Sequence, residues 1–404
     1  MRGFRAWLTA GTAVAAVLVA DQALAQVSRS LPETRPIQLG PASVYPTIVL
    51  RDAGTDSNVY SESATPRSDL TYSVLPKLYA VVPVGNTRLV ATGAGELVYF
   101  RTYEDQRSLT TQLDARYEVT GPGFRPFASA GLISRGGREG FEIDARPRQT
   151  QRIVMAGADI DVTSITAMTA WASRSKTSFD EDEQYWSVSL AEQLNRSRNA
   201  VAAGARFRVT PLTTLLIAAE MQQDRFDRVP LRDADSLRFG PSIAIDTGGT
   251  MSGDMTAGYR MFTPRDPALS GYRGLVAAGR LHYTLRSVTR FDMEVERDVD
   301  FSFDPNQPYY LESGGRLVVT QRLLGPLDII GIGERRDLRN QRAGSASFDG
   351  RHEITTSLGG GVGFHIQRDM RLALTYERTE RTSSEPVTRN FERTRILGSF
   401  NYGL

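Results

Sequence analysis

Between Phe291 and Phe303 the chain alternates between apolar and polar side chains. Arg297 is the one interruption of the apolar set, and the opposite set is almost entirely acidic. Successive side chains of a strand point to opposite sides, whereas a helix would mix the two sets around its circumference. The pattern predicts a strand with one apolar and one charged face. The apolar positions are Phe291, Met293, Val295, Val299, Phe301 and Phe303, and the polar positions are Asp292, Glu294, Glu296, Asp298, Asp300 and Ser302.

The same period of two returns along the whole chain. It is plain over residues 109–119, 201–209, 275–285, 358–367 and 395–404. Counting from Tyr45, we find eighteen such segments, each of about ten to fourteen residues, joined by nine long and eight short connections. Sixteen is the alternative count, because the segments that begin near Ser43 and Asp328 alternate poorly.

The connections differ in length at the two ends of the segments. Short turns of the Gly-Asn, Gly-Pro-Gly and Gly-Pro kind follow every second segment, and longer polar connections include residues 180–196, 227–236 and 341–354. Short periplasmic turns opposite long outer loops are typical of outer-membrane barrels. The sequence therefore predicts an all-β fold, a transmembrane antiparallel up-and-down β-barrel of about 18 strands. We also expect long loops such as 180–196 to fold inward and narrow the pore.

Aromatic residues recur at one height of the predicted strands, shortly before a short turn or the C-terminus. Such rings prefer the boundary between headgroups and hydrocarbon, so they predict an aromatic girdle at the membrane interface. A soluble sandwich would more often place its aromatic residues in the middle of a strand. The girdle residues are Tyr117, Phe207, Tyr283, Phe364, Phe400 and Tyr402.

The N-terminus has the layout of an export signal. Arg2 and Arg5 precede an apolar stretch, and Ala23-Leu24-Ala25 gives the small-x-small pattern of a cleavage site. We expect a signal peptide over residues 1–25, a short periplasmic segment over 26–42 and the barrel over 43–404. An exported barrel predicts the outer membrane of a Gram-negative bacterium as its location.

Composition excludes several classes of protein. The chain has no cysteine, which rules out disulfides and cysteine-ligated metals. Its 48 basic and 46 acidic residues are spread evenly, whereas a nucleic-acid-binding protein needs a one-sided basic surface. After residue 25, no apolar run is long enough for a membrane-spanning helix. We therefore expect no cofactor and no nucleic acid as a partner.

Several short motifs carry a family resemblance. Asp56-Ser57-Asn58-Val59-Tyr60, then Ser68-Asp69 and Leu75-Pro76, resemble the opening of the putative β-barrel porin type 2 family. The resemblance continues at Leu194-Asn195-Arg196, at Thr210-Pro211-Leu212-Thr213-Thr214 and at Asp224-Arg225-Phe226, in the same order. It implies an outer-membrane barrel often associated with exopolysaccharide or capsule export loci. It implies no catalytic residues.

Charged residues on the predicted inner face are the candidate lumen-lining residues. The acidic row from Asp292 to Asp300 has basic neighbours on both adjoining strands. The row is either a charged wall that selects solutes or a ladder of opposite charges that holds the strands in register. The candidates are Asp292, Glu294, Glu296, Asp298, Asp300, Arg260, Arg280, His282, Arg316 and Arg322.

The sequence contains no recognised catalytic motif. The histidines His282, His352 and His365 share no metal-ligand spacing, and no Ser-x-x-Lys, Gly-x-Ser-x-Gly or His-Glu-x-x-His occurs. We therefore expect neither an enzyme nor a metal site. Four arginines near the long loops are candidates for lipopolysaccharide phosphates, or are simply solvated: Arg67, Arg107, Arg135 and Arg138.

Three functions remain open. The first is a channel or export component for polysaccharide, the second a general small-solute porin, and the third a structural or adhesion barrel with a closed lumen. An open polar pore would favour the first two, and a lumen blocked by paired charges would favour the third. Expected partners are outer-membrane lipids and lipopolysaccharide, polysaccharide or its export machinery, and the barrel-assembly machinery through the C-terminal strand.

Overall fold

The chain folds into one closed sheet of eighteen antiparallel strands. The computed structural model describes residues 36–402, apart from residues 139, 248, 344, 346, 368, 369 and 386. The predicted signal peptide and most of the predicted periplasmic segment lie outside the described residues. The strands are β1 (Ala42–Asp56), β2 (Asp69–Val84), β3 (Thr87–Phe100), β4 (Ser108–Val119), β5 (Phe124–Arg135), β6 (Gln149–Asp161), β7 (Thr166–Phe179), β8 (Arg196–Thr210), β9 (Thr213–Phe226), β10 (Ala234–Asp246), β11 (Met251–Pro264), β12 (Tyr272–Leu285), β13 (Thr289–Phe301), β14 (Tyr309–Arg322), β15 (Leu327–Gln341), β16 (His352–Gln367), β17 (Met370–Ser383) and β18 (Phe391–Tyr402).

Each strand pairs with its neighbours in sequence, and the last pairs with the first. The closing ladder runs from Ile48 opposite Tyr402 to Asp56 opposite Arg395, with a register shift between Leu50 and Ala53. A further strand, Ile37–Leu39, folds back on the start of β1. The predicted eighteen strands are confirmed, including the two segments whose alternation is poor.

Side-chain alternation divides every strand between an outer and an inner face. Large apolar residues such as Leu275 and Leu358, 69% and 65% exposed, cover the outer face. Polar residues such as Asp224 and Asn340 are fully buried on the inner face. A sheet that closes on itself satisfies its backbone groups internally, which the hydrocarbon layer requires. Within the described residues, no helix is long and apolar enough to cross a bilayer.

Eight short turns join the strands at one end of the barrel. Gly85, with a φ of +59°, fits the two-residue turn between β2 and β3 because glycine adopts positive φ without a steric penalty. The turn between β12 and β13 contains neither glycine nor proline, yet Arg286 and Ser287 both have positive φ, 50° and 60°. Glycine and proline signals therefore reveal most of the turns but miss this one and the turn over 162–165, which also contains neither residue.

Nine longer loops lie at the other end. They are L1 (57–68), L2 (101–107), L3 (136–148), L4 (180–195), L5 (227–233), L6 (265–271), L7 (302–308), L8 (342–351) and L9 (384–390). L4 contains the two-residue strands Gln184–Tyr185 and Val188–Ser189 and a short helix, α1 (Leu190–Leu194). Leu190 and Ala191 of this helix are fully buried, so L4 folds inward as expected.

Strands β12 and β13 separate toward the loop end of the barrel. Their pairing stops at Ala277 opposite Arg297, although β13 stays paired with β14 up to Phe301. Val299 and Phe301 were expected on the outer face, but the end of β13 leans inward and both are buried, 3% and 7% exposed. Phe303, expected on the same face, lies in L7 and is buried in the same cluster.

Side chains replace the missing backbone pairing at this parting. Arg297 Nε donates to the carbonyl of Leu275 at 3.1 Å, and the hydroxyl of Tyr272 donates to the same oxygen at 2.7 Å. The N–H groups of Val299 and Phe301 donate to the preceding carboxylates. Arg297, the one interruption of the apolar pattern, therefore bridges the two strands.

Candidate functional site: the lumen and its outer constriction

The acidic row of β13 lies on the inner face of the barrel. Asp298 accepts from Arg260 of β11 at 2.6 Å, and Glu294 lies 3.5 Å from Arg280 of β12. Asp292 contacts His282 of β12. These pairs place the predicted basic neighbours beside the row, which is the arrangement of a cross-strand charge ladder.

Two predicted basic residues have other surroundings. Arg316 of β14 lies opposite Glu294 in register, but its guanidinium pairs with Glu334 of β15 at 2.7 Å. Arg322 is exposed at the end of β14, where its backbone N–H donates to Val288 in the adjoining turn. The first therefore extends the ladder to the next strand, and the second lies at the periplasmic rim.

A buried arginine that the sequence analysis did not single out organises the acids of β13, β14 and β15. Arg336, 3% exposed, lies 3.1 Å from Glu334, 3.3 Å from Glu312 and 3.4 Å from Glu296. Three carboxylates around one guanidinium repel one another, so Arg336 is needed to hold them together. We call this group the charged wall: Glu294, Glu296, Glu312, Arg316, Glu334 and Arg336.

Glycines on the inner face make room for charge pairs. Asp328 is bound by Arg371 at 2.6 Å and by His365 at 2.9 Å. A Cβ at Gly363 would lie 2.3 Å from Asp328 and 2.5 Å from Arg371. The glycine-rich stretch of β16 therefore leaves space in the lumen rather than forming a phosphate-binding loop.

The inner face of β5 to β9 is mainly apolar at its centre, unlike the charged wall. Its buried side chains form an apolar cluster, and the ring of Phe127 lies over Gly157, where a Cβ would come within 2.6 Å of it. Paired charges border the cluster: Arg198 binds Asp224 and Arg206 binds Asp159, each at 2.8 Å. We call this cluster the apolar wall: Phe127, Met155, Trp171, Ala200, Ala202 and Leu216.

Loop L3 crosses the mouth of the barrel. It leaves from β5 and returns to β6, yet Glu142 at its centre binds residues about half-way around the ring. Its carboxylate accepts from Ser302 Oγ at 2.6 Å and from Asn340 Nδ2 at 3.3 Å, and it pairs with Arg351. Burial raises the pKa of Glu142, and the Arg351 guanidinium opposes that shift.

A second acidic residue of L3 is tied to the same side. Asp144 pairs with Arg381 of β17 and accepts from the hydroxyl of Tyr185 in L4 at 3.1 Å. Although burial opposes it, the Arg381 guanidinium lowers the pKa of Asp144. Burial and the neighbouring Asp144 raise the pKa of Tyr185 to about 12. Arg389 of L9 completes the network by donating to Tyr185 at 2.9 Å.

An aromatic core fills the space beneath L3. Phe226 packs edge-on against Phe301 with ring centroids 4.8 Å apart, and Phe262 lies 5.0 Å from Tyr309. Ile143 of L3 and Leu190, Ala191 and Leu194 of α1 belong to the same cluster. L3, L4 and the inward-leaning end of β13 therefore form one packed constriction at the outer end of the lumen.

The candidate lipopolysaccharide arginines mostly bind within the protein. The guanidinium of Arg67 stacks 3.6 Å above the ring of Tyr60, and that of Arg107 lies 4.4 Å from the ring of Tyr99. Arg138 of L3 is bound to L1, where it donates to Ser61 at 2.9 Å and to the carbonyl of Val59. Arg135 also has a partner in the protein.

Each histidine lies beside an aspartate. His352 lies 3.2 Å from Asp337, and His282 shares Asp292 with Arg290. In the part of the chain that the structure describes, no three His, Cys, Asp or Glu side chains are grouped so as to hold a metal.

The predicted girdle residues lie near the short turns on the outer face. Tyr283 stacks on Phe291 with centroids 6.2 Å apart, and Phe364, Leu372 and Phe400 are opposite one another in register. Tyr117 is half exposed and Phe207 partly so. Tyr402 pairs with the neighbouring strands through its backbone, and its side chain is not among the described parts of the chain. Tyr72 and Tyr99, stacked at 5.0 Å toward the loops, are a second pair that the analysis missed.

A closed barrel with a polar interior and an apolar belt defines the class of outer-membrane β-barrels. The model of one family, Putative beta-barrel porin 2, matches residues 33–400 of the sequence. The chain belongs to this family and is an outer-membrane porin-like channel protein. Families of this kind are typically non-enzymatic channels.

Several solved outer-membrane proteins are similar to this chain at low sequence identity. The outer membrane protein OpdK of Pseudomonas aeruginosa is 11% identical, with 89% of this chain and 98% of that chain covered and a TM-score of 0.47. The structure of OpdK with vanillate is 13% identical, with the same coverage of both chains and a TM-score of 0.48. The siderophore receptor PirA of the same organism is 10% identical, with 92% of this chain and 81% of that chain covered and a TM-score of 0.41. No curated protein matches the sequence.

Proposed function

We propose that this porin is a narrow channel for a linear polar polymer and takes part in polysaccharide export. The observation that carries the proposal is the outer constriction, in which Glu142 and Asp144 fix L3 to the wall opposite its own strands. A mouth narrowed in this way suits an extended chain better than a bulky solute. The sequence resemblance, with its association with exopolysaccharide loci, supports the same substrate class.

The paired charges of the lumen suit a hydroxyl-rich chain. Arg280 with Glu294, whose side chains are 47% and 30% exposed, presents donors and acceptors together, with little net charge. Sugar hydroxyls both donate and accept, so they can exchange their water for such pairs. A strongly anionic solute would gain less, because the four glutamates of the charged wall outnumber its two arginines.

Single-channel conductance of the refolded barrel in a planar bilayer tests this proposal. We expect small, steady current steps that a soluble neutral polysaccharide blocks. Steps that polymer leaves unchanged, with free passage of small solutes, would instead support a general porin. A sealed bilayer over a barrel shown to be folded by its resistance to heat and detergent would refute the channel.

Two variants of L3 sharpen the measurement. Asp144→Asn removes the carboxylate that neutralises buried Arg381, so we expect L3 to loosen and the steps to grow. Glu142→Gln is the milder second variant, and we expect a smaller increase in the current steps. It keeps an oxygen acceptor for Ser302 and Arg351, and Arg351 retains Glu353 at 2.9 Å. Equal steps in wild type and Asp144→Asn would show that L3 does not set the conductance.

A structural or adhesion barrel with a closed lumen is the second candidate. The aromatic core beneath L3 favours it, because Tyr309 and Phe262 are almost completely buried, 1% and 2% exposed. Binding of outer loops to a partner, without conductance in either L3 variant, would support this function. Both candidates retain the proposal that the chain is not an enzyme.

A further inference from the structure

We infer that the apolar wall is a binding site for the pyranose rings of a neutral saccharide. This inference rests on the proposed channel function, because it names the lumen surface along which the polymer would lie. The site is built on the inner faces of β5 to β9, well away from the charged wall of β13 to β15.

Two aromatic rings separated by small residues form the platform of the site. In register, Phe127 is opposite Gly157, Gly157 is opposite Trp171, and Trp171 is opposite Ala202. The guanidinium of Arg116 covers one face of Phe127 at 3.9 Å, which leaves the indole of Trp171 as the ring for the C–H face of a sugar. Met155 and Leu216 complete the cluster and exclude water from its base.

Polar groups beside the platform have no partner among the described residues. Trp171 Nε1 and Thr169 Oγ1 are buried and unbonded, although both side chains are at least nine-tenths buried, 5% and 3% exposed. Glu220 Oε2, on the next residue of the same register row beyond Ala202, is also buried and unbonded. Buried polar groups are rarely left without partners, so these three point to a ligand.

The chemistry of the three groups selects the ligand. The indole N–H of Trp171 only donates, the carboxylate of Glu220 only accepts, and the Thr169 hydroxyl does both. A sugar hydroxyl can accept from the first and donate to the second. A carboxylate on the ligand has no proton for Glu220 and would be repelled by it. The arginines beside the site are already paired with acids: Arg116 with Glu118, Arg198 with Asp224, Arg206 with Asp159, and Arg238 with the other oxygen of Glu220.

Tryptophan fluorescence provides the test, because the sequence has three tryptophans. Trp7 lies in the predicted signal peptide, so Trp186→Phe leaves Trp171 as the reporter in the mature barrel. We expect maltohexaose or cellohexaose to change the emission saturably in detergent micelles, and benzoate and hexagalacturonate to have little effect. No change with either neutral hexamer, or a stronger response to an anion, would overturn the inference.

Matched threonine variants separate binding from folding. Thr169→Val removes the unbonded hydroxyl and keeps the shape of the side chain, and we expect a roughly five-fold loss of affinity for one lost hydrogen bond. Thr355→Val makes the same change at a buried inward position of β16 and is expected to leave affinity unchanged. Equal affinities in the two variants would mean that Thr169 does not touch the sugar.

Trp171→Phe, followed by calorimetry, keeps an aromatic platform and removes the N–H. A second loss of similar size is expected, and an unchanged affinity would remove Trp171 Nε1 from the site. Binding in micelles requires no ion flow. A barrel that binds sugar but does not conduct would refute the channel alone, and one that conducts but does not bind would refute this site alone.

Discussion

The charged wall and the apolar wall are parts of one sheet and use opposite means to fill the same lumen. In the charged wall, Arg336 holds Glu296, Glu312 and Glu334 by ion pairs. In the apolar wall, Trp171 and Phe127 pack against alanine and glycine. The first depends on each charge keeping its partner, and the second depends on shape. The two walls should therefore respond differently to the loss of one side chain.

Removing the central guanidinium of the charged wall should have the largest effect. Arg336→Ala leaves three buried carboxylates without their shared cation, and we expect a loss of about 3–5 kcal/mol in the free energy of unfolding. Urea unfolding in detergent measures it. Arg339→Ala is the control, because the exposed pair of Arg339 with Asp337 is worth less than about 1 kcal/mol. Similar losses would show that the charged wall is not held by Arg336.

Truncating the apolar wall should have an intermediate effect. Met155→Ala removes a side chain that is 3% exposed, and the cavity should cost about 2–3 kcal/mol. Met168→Ala makes the same change on the outer face, where 48% of the residue is exposed and lipid can refill the space. The control should lose about 1 kcal/mol or less. If both variants lose the same amount in urea unfolding, the apolar wall is not closely packed.

Changing an exposed charge of the lumen should have the smallest effect on stability. Arg280→Gln frees Glu294, and we expect less than about 0.5 kcal/mol of destabilisation but a shift of the reversal potential toward cation selectivity. Arg378→Gln removes an exposed pair with Glu392 on the outer face and should leave selectivity unchanged. No shift with Arg280→Gln would place the ion path away from the charged wall.

The same contrast explains what the sequence could predict. Where apolar outer residues alternate with charged inner ones, as in β13, the period of two reveals both the strand and the lumen residues. In β9 both faces are apolar, for example at Leu215, Leu216 and Ile217, so alternation cannot tell which side chain enters the lumen. The apolar wall was missed for this reason. Arg336 was missed because four consecutive charged residues, Glu334 to Asp337, put charge on both faces of β15.

The constriction was harder to predict than the barrel. The sequence analysis expected L4 to fold inward, and it does, but L3 was not identified. Its partners Arg351 and Arg381 lie more than two hundred residues further along the chain. One local signal was present: the centre of L3 reads Phe141-Glu142-Ile143-Asp144, and apolar residues between charges are unusual in a solvated loop. Only the closed sheet brings these side chains to the opposite wall.

The parting of β12 and β13 has a consequence for how copies of this barrel meet. Two strands that separate expose edges, and an open edge is a template on which another chain can add a strand and begin to aggregate. Here the carbonyl of Leu275 is covered by Arg297 and Tyr272, and the N–H groups of Val299 and Phe301 are covered by carboxylates. The two strands thus separate without exposing these backbone groups to a strand of another copy.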